Sequence, residues 1–251
     1  MGREAMRLAL ERIGHAFLGR AVFENLTLSL DRGEVLALVG PSGCGKTTAL
    51  QIAAGLVDPL RGRVRRDYRR HAVVFQEPRL LPWQRTVDNI AYGLAARGVG
   101  REERHVIAAA RAAEVGLHPR DLDKYPAELS GGMRQRAAVA RALAVDPEVV
   151  FFDEPFTAVD VGLRRVLQDL VITASAREKF SALFVTHDLS EAARLAHRIV
   201  VMSGRDGSIL VDRTIAGTPG ARDDRAIFEM AQGWMHEPAF AELFDPDRDR
   251  A

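Results

Sequence analysis

The chain has a single cysteine, Cys44, so no intramolecular disulfide can form, and this usage fits a reducing compartment. It has no apolar run of about 18 residues, the length a membrane-spanning helix requires. The first thirty residues alternate polar and apolar without the apolar stretch of a secretory signal. Charge of one sign is also missing. Lys+Arg number 35 against 34 Asp+Glu, a net +1, so there is no global basic field for nucleic acid and no acidic tail. Lysine occurs only at Lys46, Lys124 and Lys179, and the other basic residues are arginine, so a single arginine carries little information. What is present is a 47% hydrophobic chain of 251 residues, long enough to bury a substantial core. The expectation from these terms is a soluble, cytoplasmic protein.

Strand patterns come first along the chain. "RLALERI" and "AVFENLTLSLDRGEVLALVG" read as short strands with a turn at Asp31–Gly33, and Glu34–Val39 reads as a buried strand. Lys46–Leu56 reads as helix and His71–Gln76 as strand. Residues 86–128 carry helical periodicity with a break near "GLHPRDLDKYP". From Ser130 the order is helix, strand 148–153, helix 161–176, strand 182–186, helix 189–196 and strand 198–202. Strands alternating with helices imply an α/β fold around a mostly parallel sheet covered on both faces.

"GPSGCGKTT", Gly40–Thr48, lies between an apolar strand and a helix. That is the setting in which G-x-x-x-x-G-K-[ST] works as a phosphate loop. The pattern arises by chance in about one chain of this length in a hundred, and the flanking strand and helix decide against chance. Gly40, Gly43 and Gly45 let the backbone of the loop, with Pro41, Ser42, Cys44 and Thr48, wrap a phosphate chain. Lys46 would neutralise the outer phosphates, and the Thr47 hydroxyl would ligate Mg²⁺. "VVFFDEP", Val149–Pro155, carries Asp153 to the end of an apolar strand, where a metal ligand belongs. One carboxylate suffices for the metal, so the adjacent Glu154 suggests a base orienting water for attack on a γ-phosphate.

"LSGGMRQR", residues 129–136, begins a helix with glycines where helix formers belong. Each glycine there costs up to about 1 kcal/mol relative to alanine, but a glycine-rich helix start admits an anion closely. The three motifs, which run "GPSGCGKTT", "LSGGMRQR", "VVFFDEP" along the chain, resemble in that order the ATP-binding subunits of ABC transporters, over roughly residues 5–215. The resemblance implies a P-loop NTPase with a RecA-like, mostly parallel sheet, an N-terminal antiparallel β region and an inserted helical subdomain. It implies an ATPase that uses ATP and Mg²⁺ and divides the chain into four parts. Residues 1–85 are the β region and first part of the nucleotide-binding core, 86–130 the helical subdomain, 131–215 the second part of the core, and 216–251 a helical tail ending in a frayed "DPDRDRA". The resemblance also accounts for the glycines. Two copies pair head to tail, and Ser130, Gly131 and Gly132 of one copy cap the γ-phosphate held by the other. Gln76 resembles the glutamine that touches Mg²⁺ and the attacking water, and His187 in "FVTHD" the switch histidine at the γ-phosphate. "TAVD", Thr157–Asp160, resembles the loop that couples the two sites through Asp160, with Thr and Val replacing the family's Ser and Leu. Phe17 falls where an aromatic residue stacks on adenine, although a phenylalanine in "AFLGRAVF" could equally be core.

"FQEPRLLPWQRTVDNIAYGL", Phe75–Leu94, is similar to importers of nitrate, sulfonates, taurine and related compounds. Pro78, Leu80, Leu81, Pro82 and Trp83 either fold back on the helical subdomain or form an exposed groove for a helix of a permease subunit, docking near Gln76–Trp83. The resemblance implies an importer ATPase at the cytoplasmic face of the membrane, served indirectly by an extracytoplasmic binding protein. The alternative is a soluble ABC ATPase acting on a cytoplasmic machine; a small-molecule kinase is disfavoured by the signature. Between the phosphate loop and Gln76 the chain is shorter than the family norm, as if a hairpin were trimmed, and "RGRVRRDYRRH" carries six arginines. Either a solvated hairpin or contact with anionic lipid explains them. Only Tyr68 stands there for base stacking, so no nucleic acid is expected.

Overall fold

The computed structural model describes residues 6–157, 161–178 and 180–241. Asp160 and the "DPDRDRA" end therefore lie outside the described residues. In chain order the strands are β1 (Met6–Phe17), β2 (Arg20–Asp31), β3 (Val35–Val39), β4 (Arg61–Arg66), β5 (His71–Val74), β6 (Val149–Asp153), β7 (Ser181–Thr186), β8 (Arg198–Met202) and β9 (Ile209–Thr214). The helices are α1 (Lys46–Ala54), α2 (Thr86–Ile90), α3 (Tyr92–Ala96), α4 (Arg101–Glu114), α5 (Gly131–Ala144), α6 (Val161–Glu178), α7 (Leu189–Leu195), α8 (Asp224–Met235) and α9 (Pro238–Ala241). They gather into two compact units, one made of the chain up to Tyr68 and from Ser181 onward, the other of Arg69–Phe180.

In the first unit, β2, β1 and β4 form an antiparallel sheet. The strands are longer than the sequence pattern predicts, because an irregularity keeps the core residues on one face. Leu8, Leu10 and Ile13 are all buried, although strict alternation would turn Ile13 outward. The extra residue is absorbed at Arg12, whose φ is +51°, and the register with β2 shifts between Leu10 and Ile13. Opposite it stands Gly62, where a Cβ would lie 2.3 Å from the Arg12 carbonyl oxygen, so only glycine fits. The arginine-rich segment is thus the edge strand β4, and part of it is structural. Arg66 Nε donates to the Ala53 carbonyl at 2.9 Å, and its Nη2 to Ile52 at 2.6 Å. These are carbonyls of the last turn of α1, where the Gly55 N–H also reaches that of Ile52 at 3.1 Å and the Tyr68 hydroxyl that of Ala53 at 3.1 Å.

The same unit holds β3 between β7 and β8, all parallel, with β9 antiparallel on the outer side of β8. Every residue of β3 and β7 is buried, as continuous apolar runs imply. The sequence pattern misses β9, because "ILVDRT" is a half-exposed edge strand with little apolar signal. Helix α1 ends two residues earlier than predicted, at a left-handed Gly55 (φ +80°) whose N–H returns to the last turn.

In the second unit, β5 and β6 pair in parallel over His71–Val74 and Val149–Phe152. The predicted strand 71–76 therefore stops early. The alanine-rich α5 buries Ala137, Ala138, Ala140 and Ala142 and packs against α2 and α4. The break between the helices holds two 3-10 turns, Pro119–Asp121 and Pro126–Glu128.

His197 joins two parallel strands in the first unit. The Val35 N–H donates to its Nδ1 at 3.0 Å, and the His197 N–H donates to the Val35 carbonyl at 2.8 Å. Burial, and then the nearby Arg222 guanidinium, push the His197 pKa below its ordinary value. The unfolded chain therefore takes up the proton first on acidification, so this residue's contribution is complete above about pH 6.5 and declines below it. The expected outcome is a denaturant midpoint that falls from pH 7.5 to 5.5, with a smaller fall in His197→Asn, whose amide oxygen can accept the same N–H.

Candidate functional site

A buried strand delivers the phosphate loop. β3 ends at Val39, and Gly40 follows at a close approach: a Cβ there would meet Cys44 Sγ at 2.6 Å and the Met202 carbonyl oxygen at 3.0 Å. Gly43 and Gly45 both take positive φ, +78° and +101°. Gly45 is the N-cap of α1 and offers no side chain to its N–H groups, so those donors face whatever the loop holds. Lys46 is only 5% exposed, and its Nζ donates to the carbonyls of Gly40 and Pro41 at 2.8 Å each. These two carbonyls hold the ammonium at the loop. Thr47 is exposed at the first helical turn and Thr48 is half-buried beside it. Burial pushes the Cys44 thiol pKa up, with Lys46 opposing, which makes this cysteine a packing group rather than a nucleophile.

A cavity of about 660 Å³ lies elsewhere, in the helical unit, but the loop has its own of about 430 Å³. Phe17, Arg20, Val22, Gly43, Cys44 and Arg205 are among the residues lining it. The structure thus brings Phe17 to the phosphate loop. Phe17 is 50% exposed, so it is not core, and its ring is braced edge-on by the buried His15 at 4.7 Å. The tip of the β8–β9 hairpin closes one wall. At Gly207 (φ +65°) a Cβ would meet the Val22 carbonyl at 2.7 Å, Phe23 Cβ at 2.8 Å and the Cys44 carbonyl at 3.3 Å. Nothing in the sequence pattern marks this hairpin as part of the site. His187, also in the first unit, is exposed immediately after β7.

The second unit holds the remaining candidates. Asp153 ends the fully buried β6. Glu154 follows with φ +44°, a left-handed conformation that is uncommon for a carboxylate side chain. The Thr157 hydroxyl donates to its Oε2 at 3.2 Å. Gln76 is exposed in a bend two residues beyond the end of β5, not at the strand end as the pattern predicted. The Phe75 carbonyl accepts from Gln135 Nε2 at 3.5 Å, and the Arg79 guanidinium lies 4.0 Å from the Phe75 ring centre, which turns the chain away. Ser130 caps α5, accepting from the Met133 N–H at 3.3 Å. Ser130 and Gly131 are exposed, Gly132 half-buried. A Cβ on Gly131 would approach nothing nearer than Arg134 Nη2 at 3.9 Å.

The apolar run splits between the two readings given above. Pro78, Leu80 and Leu81 are half-buried, whereas Pro82 and Trp83 are exposed, Trp83 by 71%. Trp83 and Tyr92 line the 660 Å³ cavity together with Arg85, Arg101, His105 and Tyr125. Two residues that the sequence reading passes over hold this loop. The buried Asn89 accepts from the Leu81 N–H at 2.7 Å and donates to the carbonyls of Leu81, Gln84 and Arg85 at 3.0–3.2 Å. Arg141 donates to the carbonyls of Pro78 and Arg79, both at 2.7 Å. Asn89 is a poor helix former inside a short helix, which is the one signal available for it. Arg141 is lost among the arginines.

Residues 23–157 match the family described as ABC transporter. The aliphatic sulfonates import ATP-binding protein SsuB 1 of Pseudomonas syringae pv. syringae (strain B728a) is 46% identical over 79% of this chain and 81% of its own length. The taurine import ATP-binding protein TauB of Pseudomonas aeruginosa (strain UCBPP-PA14) is 41% identical, over 82% of this chain and 80% of its own length. Among solved structures, the dimeric ATP-binding cassette MJ0796 in a post-hydrolysis state with ADP and Pi superposes with a TM-score of 0.76 at 26% identity. The match covers 84% of this chain and 100% of that one.

Gly19 and Gly207 have similar φ values, +81° and +65°, but only Gly207 is crowded. Gly207→Ala is expected to lose about 1–3 kcal/mol in backbone strain plus the cost of its collisions, and Gly19→Ala the strain alone. Denaturant midpoints measure the difference, and affinity for a fluorescent ATP analogue should fall in Gly207→Ala only.

Proposed function

The chain belongs to the ABC transporter family, and from that membership we propose that it is the ATP-hydrolysing subunit of an importer for a small anion of the sulfonate or taurine kind. The substrate class comes from the import proteins it resembles. The observation that carries the cassette mechanism is the start of α5. Among the described residues, nothing nearer than Arg134 Nη2 at 3.9 Å would meet a Cβ on Gly131, yet it forgoes about 1 kcal/mol of helix propensity. An exposed, serine-capped, glycine-lined helix start with no internal use fits a phosphate brought by another molecule. That molecule is a second copy, and the superposed cassette is described as dimeric.

In this reading ATP binds to the backbone N–H groups of Gly40–Thr48, Phe17 stacks on the base, and Lys46 exchanges its two carbonyls for phosphate oxygens. Mg²⁺ suits the donors Thr47, Gln76 and Asp153, which are hydroxyl, amide and carboxylate oxygens. No cluster of three His, Cys, Asp or Glu side chains able to hold a metal occurs among the described residues. When bound, Mg²⁺ neutralises charge on the nucleotide's phosphates. Glu154 takes the proton of the attacking water, Gln76 orients that water, and His187 donates to the γ-phosphate. Ser130, Gly131 and Gly132 of the second copy close over the same phosphate, and Asp160 couples the two sites. Removal of the γ-phosphate releases the closure, which is how hydrolysis drives a cycle.

Trp83 and its neighbours receive a short helix of the permease, an aromatic-anchored groove contact. The described residues include no helix long and apolar enough to cross a membrane; in this reading the subunit attaches at the cytoplasmic face through this groove. An extracytoplasmic binding protein delivers the solute to the permease.

Glu154→Gln is expected to retain ATP affinity, to lower kcat by at least about a hundredfold, and to accumulate as an ATP-dependent dimer in size-exclusion chromatography. Wild-type turnover in this variant would remove Glu154 from its role. Trp83→Ala is expected to weaken capture by detergent-solubilised permease by about 2 kcal/mol, roughly thirtyfold in Kd, with ATPase activity of the isolated subunit unchanged.

A further inference from the structure

The switch histidine sits on a turn that a single hydroxyl holds shut. β7 is apolar from Ala182 to Val185 and then ends in a threonine, although valine would have the same shape and suit the strand equally well. Thr186 is only 2% exposed, and its Oγ1 donates to Glu191 Oε2 at 2.8 Å. The same oxygen accepts the Asp188 N–H at 3.0 Å. The two residues that flank His187 are therefore bonded to each other across it. Asp188 in turn caps α7, its Oδ1 accepting from the N–H groups of Ser190 at 2.8 Å and Glu191 at 3.3 Å. Glu191 is a carboxylate on the buried face of α7, 7% exposed, a position that costs free energy unless the charge is hydrogen-bonded.

We propose that Thr186 and Glu191 are positioning residues for His187: their hydrogen bond, with the one to Asp188, fixes the backbone on both sides of the imidazole, so that it meets the γ-phosphate without a search. This rests on the role given to His187 above. Thr186 has one hydroxyl hydrogen, and the carboxylate takes it, which leaves the oxygen's lone pairs directed to Asp188. Loss of either partner therefore removes the bond that directs this oxygen, and with it a restraint on the turn beside His187. A misplacement of an ångström at a reacting group can cost up to about a hundredfold in rate.

The test is steady-state ATP hydrolysis by the full chain. Thr186→Val is expected to lower kcat by at least about tenfold with KM for ATP nearly unchanged, and Thr186→Ser to restore it. On a His187→Ala background Thr186→Val should add no further loss, because its effect runs through the histidine. If Thr186→Val folds poorly, Glu191 answers the same question: Glu191→Met should repeat the loss of kcat, and Glu191→Gln, which keeps an acceptor oxygen, should not. Wild-type kcat in Thr186→Val or Glu191→Met beside a slow His187→Ala overturns the positioning role alone. Multiplying losses in the double variant do the same. Wild-type kcat in His187→Ala overturns the histidine's role and this inference together.

Discussion

A phosphate chain can be gripped by backbone N–H groups only where no side chain intervenes, and the first unit is arranged around that constraint. At Gly40 the loop leaves β3 against Cys44 and the end of β8. At Gly45 a Cβ would stand 2.5 Å from Val22 Cγ1, so β2 presses on the loop from another side. At Gly207 the β8–β9 hairpin presses on the same Val22–Phe23 segment. Glycines from two parts of the chain, Gly40 and Gly45 in the loop and Gly207 in the hairpin, let the main chain pack closely there, which fixes the donors before any ligand arrives. Preorganised donors cost no reorganisation when charge develops on the ligand, and this is the largest single resource of such a site.

The cationic end of the loop follows the same logic. Buried charge is costly unless it is hydrogen-bonded, and Lys46 meets the condition through two carbonyls of its own loop. Glu154 and His187 lie outside the loop. Glu154 adopts a left-handed backbone with a single threonine hydroxyl among its contacts at 3.2 Å, and His187 is exposed on a turn whose flanks are hydrogen-bonded. A preorganised phosphate loop, with a half-buried Glu154 and an exposed His187, suits the closure by a second molecule proposed above.

The Pro78–Trp83 loop shows a different solution to a similar problem. An exposed tryptophan gives an interface its energy only if it is presented in one place. Asn89 satisfies four backbone groups of the loop and Arg141 two more, so Trp83 projects from a segment without regular secondary structure that is nonetheless pinned. Burying Asn89 is tolerable because its amide is fully engaged. Arg66 plays the comparable part at the end of α1, which is why an arginine-rich segment need not be a charged binding surface.

Local chemistry was legible in the sequence. Motifs such as "GPSGCGKTT", "LSGGMRQR" and "VVFFDEP" depend on residues adjacent in the chain, so their strands, helix starts and ligand types could be read in order. Strand and helix identities followed from apolar periodicity, while ends were less clear: β5 stops at Val74 because its parallel partner and the Phe75–Arg79 contact decide where pairing ends. The irregularity at Arg12 and its dependence on Gly62 were invisible, since they join residues on different strands. The same holds for Phe17, Val22 and Gly207 converging on the phosphate loop, and for Asn89 and Arg141 holding the Pro78–Trp83 loop. By itself the sequence determined which chemical groups the protein possesses and the element that carries each one. Tertiary structure alone decided which distant backbone segments touch, because close approach depends on van der Waals contact in space and leaves no periodic trace along the chain.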